Sequence, residues 1–249
     1  MTIRFLVGKP IAYISKIKSF VITDLHIGIE HELYKHGIFV PSQAETFASL
    51  LKESLETMDV KRLIILGDVK HEIPRASKRE LKEIPKFFSL VKDFFDEIII
   101  TKGNHDGNLE KILPKYVKVY DSHGFKIKNY GFFHGHAWPE KKLFQSDWLF
   151  MGHLQPAIEL KDLFGYKLVE RVWLKGKLLA EKIKDLGIKT GKLNLIIVPS
   201  FNPLAGSLII NKKIETDSFI TKIANLRSFD VYLLDGTHLG KLSFLKPGS

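Results

Sequence analysis

Ser19-Phe20-Val21-Ile22-Thr23-Asp24-Leu25-His26 decides how the chain is read: an apolar, β-branched run breaks into a carboxylate and an imidazole. Val, Ile and Phe favour a strand, and the polar pair lies where that strand gives way to a loop. The same event recurs twice. Arg62-Leu63-Ile64-Ile65-Leu66 runs into Gly67-Asp68, and Glu97-Ile98-Ile99-Ile100-Thr101 runs towards Gly103-Asn104-His105-Asp106. Between these strands, Ser42–Met58 carries Phe47, Leu50, Leu51, Leu55 and Met58 at helical spacing behind a Pro41-Ser42 start signal, and Glu80–Phe95 reads as a second helix. Strand, helix, strand, helix, strand predicts an α/β layered domain. In such domains ligands gather beyond the carboxyl ends of the strands, where all three polar exits fall.

Past about residue 117 the texture changes to short strands divided by turns. These are Val117–Tyr120, Phe125–Phe133, Trp148–Met151, Leu168–Lys175 and Leu195–Val198, with Val231–Leu234 hairpinned through Gly236 to Lys241–Leu245. Trp138–Asp147 is polar and predicts a loop. No repeat, low-complexity tract or linker divides the 249 residues, so one domain is expected. Cysteine is absent, which excludes disulfides and thiolate metal sites; any metal must be held by His, Asp, Glu, Asn or Gln. No stretch approaches the roughly 18 uncharged apolar residues of a membrane span, and no long apolar run opens the chain, so a soluble, cytoplasmic protein is expected. Lys and Arg number 38 against 28 Asp and Glu, a formal net charge of +10. Such a surface favours nucleic acid or another polyanion, although a lysine-rich solvated face has the same composition.

Each polar exit is weak evidence alone, since Asp-x-His is most often structural and Gly-Asp or Gly-Asn is ordinary turn chemistry. Three in succession are harder to explain, because a turn calls for Gly or Asn but not for His. His134 in Phe132-Phe133-His134-Gly135-His136 and His153 in Phe150-Met151-Gly152-His153 again end apolar runs. In a chain without Cys, imidazoles and carboxylates are the expected donors for a borderline divalent ion.

The order Asp-x-His, Gly-Asp, Gly-Asn-His-Asp, His-Gly-His and Gly-His resembles the calcineurin-like metallophosphoesterase superfamily. The surroundings Leu25–Glu30, Gly37–Pro41, Gly67–His71, His134–Pro139 and Pro199–Leu204 narrow the likeness to SbcD-related archaeal phosphoesterases, which are similar to ligase-associated DNA-repair phosphoesterases. The resemblance implies a four-layer αββα sandwich of two mixed β-sheets flanked by helices. It also implies two divalent metal ions, Mn2+ ahead of Mg2+, Fe or Zn2+. Asp68 would bridge them, Asp24 and His26 would hold the first, and Asn104, His134 and His153 the second. His105 would lie beside the leaving group and protonate it, and His71 would support it. Asp106 and His136 either fix ligand tautomers or are plain loop polarity. The family's closing Gly-His-x-His reads Gly152-His153-Leu154-Gln155 here, so Gln155 takes the place of the last imidazole on the first metal. An amide oxygen suits harder ions, so a weaker first site or a preference for Mn2+ or Mg2+ is expected.

The activity this implies is metal-dependent hydrolysis of phosphodiester bonds in nucleic acid, of the DNA-repair nuclease kind, by a hydroxide held between two ions. Two alternatives stay open: a small-nucleotide phosphodiesterase, and a non-catalytic module that binds nucleic acid or a helicase through a degenerate metal site. DNA as substrate and a helicase or another repair protein as partner follow from the resemblance, and no membrane partner does. The oligomeric state is open. Phe132, Phe133, Trp138, Phe144, Trp148 and Phe150 crowd around the last motifs; core packing is expected, with Trp138 and Phe144 of the polar loop as candidates for base stacking.

Overall fold

Alternate residues of the first strands face two different cores, which is why these strands read as unbroken apolar runs. The computed structural model describes residues 2–56, 58–191, 193–212, 214, 216 and 218–245. The first sheet holds β1 (Ile3–Phe5), β2 (Ala12–Ile14), β3 (Ser19–Ile22), β4 (Arg62–Ile65), β5 (Glu97–Thr101) and β6 (Val117–Tyr120) in that spatial order. Its first three strands are antiparallel, and β3 to β6 are parallel.

The second sheet is built from β7 (Phe125–Ile127), β8 (Tyr130–Phe133), β9 (Trp148–Met151), β10 (Pro156–Lys161), β11 (Lys167–Lys177), β12 (Asn194–Ile197), β13 (Leu208–Ile209), β14 (Asp230–Leu233) and β15 (His238–Lys241). Their order is β13-β10-β11-β12-β9-β8-β7, with β14 paired to β11 and β15 to β14. Strands β8, β9 and β12 are mutually parallel.

Three apolar layers make the sandwich. Phe20, Ile22, Leu63, Ile65, Ile98 and Ile100 pack against Phe47 and Leu51 of α2 (Ala44–Leu55) and Ile84, Phe87 and Phe88 of α3 (Glu80–Val91), which follow the short α1 (Ile29–Lys35). On the other face of the same strands, Val21, Ile64 and Ile99 meet Phe132, Phe150, Trp173 and Ile196 of the second sheet. Beyond that sheet, Phe133, Met151, Leu174 and Ile197 cover Ile183 of α4 (Ala180–Asp185) and Ile220 and Ile223 of α5 (Ile220–Ile223). Each fully buried Phe, Ile or Leu contributes about 1.5–3 kcal/mol relative to exposure. The expected αββα sandwich of two mixed sheets is therefore the observed one. Among the described residues no helix is long and apolar enough to cross a membrane.

Local expectations fail where burial is carried by few residues. Phe125–Phe133 is two strands, split at Lys128, whose φ is 51°. The second arm of the closing hairpin is His238–Lys241 and not Lys241–Leu245; Leu242 is buried in the core and starts a 3-10 turn. The polar Trp138–Asp147 stretch contains a 3-10 helix, Lys141–Gln145, that plants Leu143 and Phe144 in the core. Phe144 is 0% exposed and so is no base-stacking platform. Trp138 packs on Phe219 with ring centroids 4.4 Å apart.

Candidate metal centre

Strands β3, β4 and β5 are parallel neighbours, so their carboxyl ends open side by side. The exits are stitched together by backbone: Asp24 N donates to Gly67 O at 3.1 Å and His26 N to Asp68 O at 2.9 Å. Across the inter-sheet core, the loops after β8 and β9 bring His134 and His153 to the same place. Asp24, His26, Asp68, His153 and Gln155 have φ between 41° and 68°. A non-glycine residue in that left-handed region costs about 1–2 kcal/mol, a strain that persists only where surrounding structure imposes it. Nothing in the sequence signals this, because none of the five is glycine.

The carboxylate of Asp68 lies at the middle. Its Oδ2 is 3.7 Å from His26 Nε2 and 3.3 Å from His134 Nε2. Its Oδ1 accepts the His105 backbone N–H at 2.9 Å. A single carboxylate oxygen therefore faces two imidazoles. On the His26 side are Asp24, with Oδ1 3.9 Å from His26 Nε2, and Gln155, whose Nε2 is 3.2 Å from Asp24 Oδ1 and 2.9 Å from His26 Nε2. On the His134 side, Asn104 Oδ1 is 3.2 Å from His134 Nε2, and the donor atoms of Asp68, His134 and His153 lie within 4.8 Å of one another. The seven residues expected to bind metal thus fall into two groups sharing Asp68.

Burial sets the electrostatics. It pushes the Asp24 carboxyl up to about 6 and the imidazoles of His26 and His153 down to about 3 and about 4. Burial also opposes charge on Asp68 and His134, but each is the other's counter-ion. His134 holds Asp68 well below the usual carboxylate range, and Asp68 raises His134 to about 9. Two buried carboxylates beside His26 and His153, imidazoles that resist protonation, make a donor set suited to cations, and a cation at Asp68 would take the place of the His134 proton. The geometry agrees: Asp24, His26 and Asp68 form one compact donor group, and Asp68, His134 and His153 another.

The supporting contacts correct several expectations. Asp106 fixes no ligand tautomer; its Oδ1 accepts the N–H groups of Val69 (2.9 Å) and Lys70 (3.3 Å), and its Oδ2 that of Gly103 (2.8 Å). It thereby clamps the β4 exit to the β5 exit. The His134 tautomer is set by the backbone, with Nδ1–H donating to Leu66 O at 2.5 Å. His136 Nδ1 is buried without a hydrogen-bond partner among the described residues. His105 Nδ1–H donates to His71 O at 2.5 Å, which leaves Nε2 free for chemistry. His71 thus supports His105 through its carbonyl and reaches His26 as well: its Nε2–H donates to Glu32 Oε2 at 2.5 Å and its Nδ1 lies 3.3 Å from His26 Nδ1. Glu32, on the exposed side of α1, carries no sequence signal at all. Ser200 and Asn202 brace the first exit by donating to the carbonyls of Asp24 (3.1 Å) and Leu25 (2.8 Å).

The family described as calcineurin-like phosphoesterase matches residues 17–216, most of the chain. The chain belongs to that family. It is accordingly a metal-dependent phosphoesterase, and the donor groups above are where a calcineurin-like phosphoesterase of this sequence could hold its ions. Among solved structures it is similar to the nuclease MPE of Pseudomonas putida, at 17% identity, with 92% of this chain and 91% of that one covered and a TM-score of 0.57. That likeness shows the shared fold. A second similar structure is Yfce, a phosphoesterase from E. coli, at 14% identity, with 90% of this chain and 97% of that one covered and a TM-score of 0.41. No curated protein matches the sequence.

Proposed function

We propose that this calcineurin-like phosphoesterase, acting as a single domain, hydrolyses phosphodiester bonds in nucleic acid at a two-metal centre. In this reading Asp24, His26 and Gln155 hold one ion, Asn104, His134 and His153 the other, and Asp68 both. The observation that carries it is the single Asp68 oxygen between two imidazoles at 3.7 and 3.3 Å, the placement a shared carboxylate needs. Two divalent ions there, Mn2+ first, would neutralise phosphoryl oxygens and lower the pKa of a water molecule beside them. His105, its Nδ1–H tied to His71 O, offers Nε2 as the proton donor to the departing alkoxide. Glu32 and His71 orient His26 from behind.

Charge supports the polymeric substrate. The net charge is +10, and exposed Arg75 and Lys111 line a cavity of about 350 Å3 next to the Asn104–Gly107 loop, where phosphates flanking the scissile one would lie. The Pseudomonas putida protein that shares the fold is a nuclease. The SbcD-related likeness adds a DNA-repair setting with a helicase or other repair protein as partner. The deciding experiment measures hydrolysis of bis-p-nitrophenyl phosphate and of labelled single-stranded DNA with Mn2+, Mg2+ or chelator, for the native protein and for His105→Ala. Manganese-dependent cleavage of both substrates that collapses in the variant is expected. Turnover of the small diester without DNA cleavage selects a small-nucleotide phosphodiesterase, and DNA binding without turnover under any metal selects a non-catalytic module.

A further inference from the structure

The strands β10 and β11 form a ribbon whose position is not explained by the sandwich. Strand β11 is antiparallel to both β10 and β12, and β12 is parallel to β9, so β10 runs in the same direction as β9. Strand β9 ends at Met151, the chain passes His153 and Gln155, and β10 begins at Pro156. It therefore carries the chain onward at the metal-centre end of the sandwich, buried through Glu159 and emerging at Leu160 and Lys161. Among the described residues the first part of β11, Lys167 to Arg171, pairs only with β10; its pairing with β14 begins at Val172 and that with β12 at Leu174. The root is tied to the metal centre. Arg171 donates to Ser200 O (2.7 Å) and Phe201 O (3.2 Å), in the loop that braces Asp24.

The tip is a hydrogen-bonded turn that carries apolar side chains. Asp162 Oδ1 accepts the N–H groups of Phe164 (2.9 Å) and Tyr166 (2.8 Å), and Asp162 N donates to Tyr166 O (3.0 Å). Gly165, at φ 87°, closes the turn. This holds Leu163, Phe164 and Tyr166 outward, at 102%, 96% and 73% exposure. Water-facing aromatics on an ordered turn cost solubility and are seldom kept without an occupant. Below them Lys161 and Lys167 stand directly opposite in the register. Opposed like charges weaken a ribbon unless an anion lies between or beside them. Lys167 Nζ is 3.4 Å from Glu159 Oε1, whereas Lys161 has no carboxylate partner among the described residues.

We propose that this ribbon is a guide for single-stranded nucleic acid: Phe164 and Tyr166 stack on unpaired bases, Lys161 and Lys167 meet the phosphates, and the strand runs down the ribbon to the metal centre. The proposal rests on the nucleic-acid reading of that centre and adds how the strand is held. Aromatics between lysines also suit an anionic lipid surface, but the ribbon rises from the rim of a phosphoesterase centre, where a substrate strand must pass. Stacking is sequence-tolerant, so the guide favours strandedness over base identity.

The test compares the full chain with the double variant Phe164→Ser/Tyr166→Ser. Binding of a labelled oligothymidine is followed by anisotropy in chelator, and hydrolysis of DNA and of bis-p-nitrophenyl phosphate with Mn2+. The variant should bind DNA weaker by roughly tenfold for each lost stack. Its KM for DNA should rise with kcat held, while turnover of the small diester, which never reaches the ribbon, stays unchanged and reports an intact fold. An unchanged DNA affinity and KM in the variant overturns the guide while leaving the nuclease reading standing. A native protein that turns over the small diester yet neither binds nor cuts DNA overturns both. Loss of co-sedimentation with anionic vesicles in the variant, at constant DNA affinity, assigns the tip to lipid instead.

Discussion

Replacing Gly103 with alanine tests whether the two central exits are packed as closely as the metal centre requires. Gly103 does not lie in the left-handed region, so alanine adopts its backbone without penalty and the change isolates one methyl group. An added Cβ would sit 2.1 Å from Asp68 Oδ1, 2.5 Å from Asp68 N and 2.8 Å from Asp68 Cγ. Ordinary contact lies near 3.5 Å, so one exit must retreat by about 1 Å or more. Moving away pulls Asp68 from the His105 N–H it accepts and from the two imidazoles it faces. Overpacking of this kind costs about 1–3 kcal/mol, or about 2–4 °C in Tm for each kcal/mol in a chain of this size. A displacement of about 1 Å at reacting groups lowers the rate about 100-fold. The assay is kcat/KM on bis-p-nitrophenyl phosphate with saturating Mn2+, beside a thermal melt. Gly107→Ala serves as control, since its Cβ meets only Pro74 O at 3.5 Å. A Gly103→Ala protein as active and as stable as the control would refute the close approach, and with it the role given to Asp68.

Phe144→Ala should destabilise the protein by about 3–5 kcal/mol, because it empties a fully enclosed ring position, and leave DNA affinity untouched. Urea unfolding and anisotropy check the two halves separately, and a variant with native stability but weaker DNA binding would restore the base-stacking role. Asp68→Asn keeps an oxygen for the His105 N–H but removes the shared charge, so calorimetric Mn2+ titration should show fewer than two ions per chain with the fold retained. Two ions bound at unchanged affinity would remove Asp68 from the centre.

Strands β3, β4 and β5 are legible because burial on both faces demands continuous apolar runs, and Glu97–Thr101 ends where the sequence predicts, as does the half-exposed edge strand Val117–Tyr120. Strand β10, Pro156-Ala157-Ile158-Glu159-Leu160-Lys161, carries no clear strand signal, since it opens on a proline, its apolar run is broken by the buried Glu159, and its pairing with β11 and β13 is set by the fold. The three-residue β1 and β2 and the two-residue β13 are too short to carry a pattern at all. At the site, donor type was readable while donor support was not. His and Asp announce themselves at strand ends, but Asp106 acts on three backbone N–H groups and Glu32 on a histidine thirty-nine residues away, both through contacts that only the fold creates. The left-handed backbone of the ligand positions was equally invisible, since the surrounding hydrogen bonds impose it against local preference.

In the proposed two-metal reading, position 155 is a ligand position of the first ion. Gln155 holds φ at 45°, two residues after His153 at 68°, and so accepts the same left-handed strain as the residues around Asp68. Its Nε2 is within hydrogen-bond distance of both Asp24 Oδ1 (3.2 Å) and His26 Nε2 (2.9 Å), so the amide satisfies the first donor group by donating to it. Binding an ion requires the amide to turn and present Oε1, which gives up both contacts at about 0.5–1.5 kcal/mol each. The first site should then be weaker than a histidine-closed one by about 1–3 kcal/mol, or about 5–150-fold. Gln155→His should recover that factor and shift preference from Mn2+ towards Zn2+, because imidazole is the better donor for the softer ion. Titration with a competing chelator at fixed pH reads both quantities without relying on turnover. Two equal affinities in the native protein, unaltered by the substitution, would mean that the amide never faces an ion and that water completes the first site.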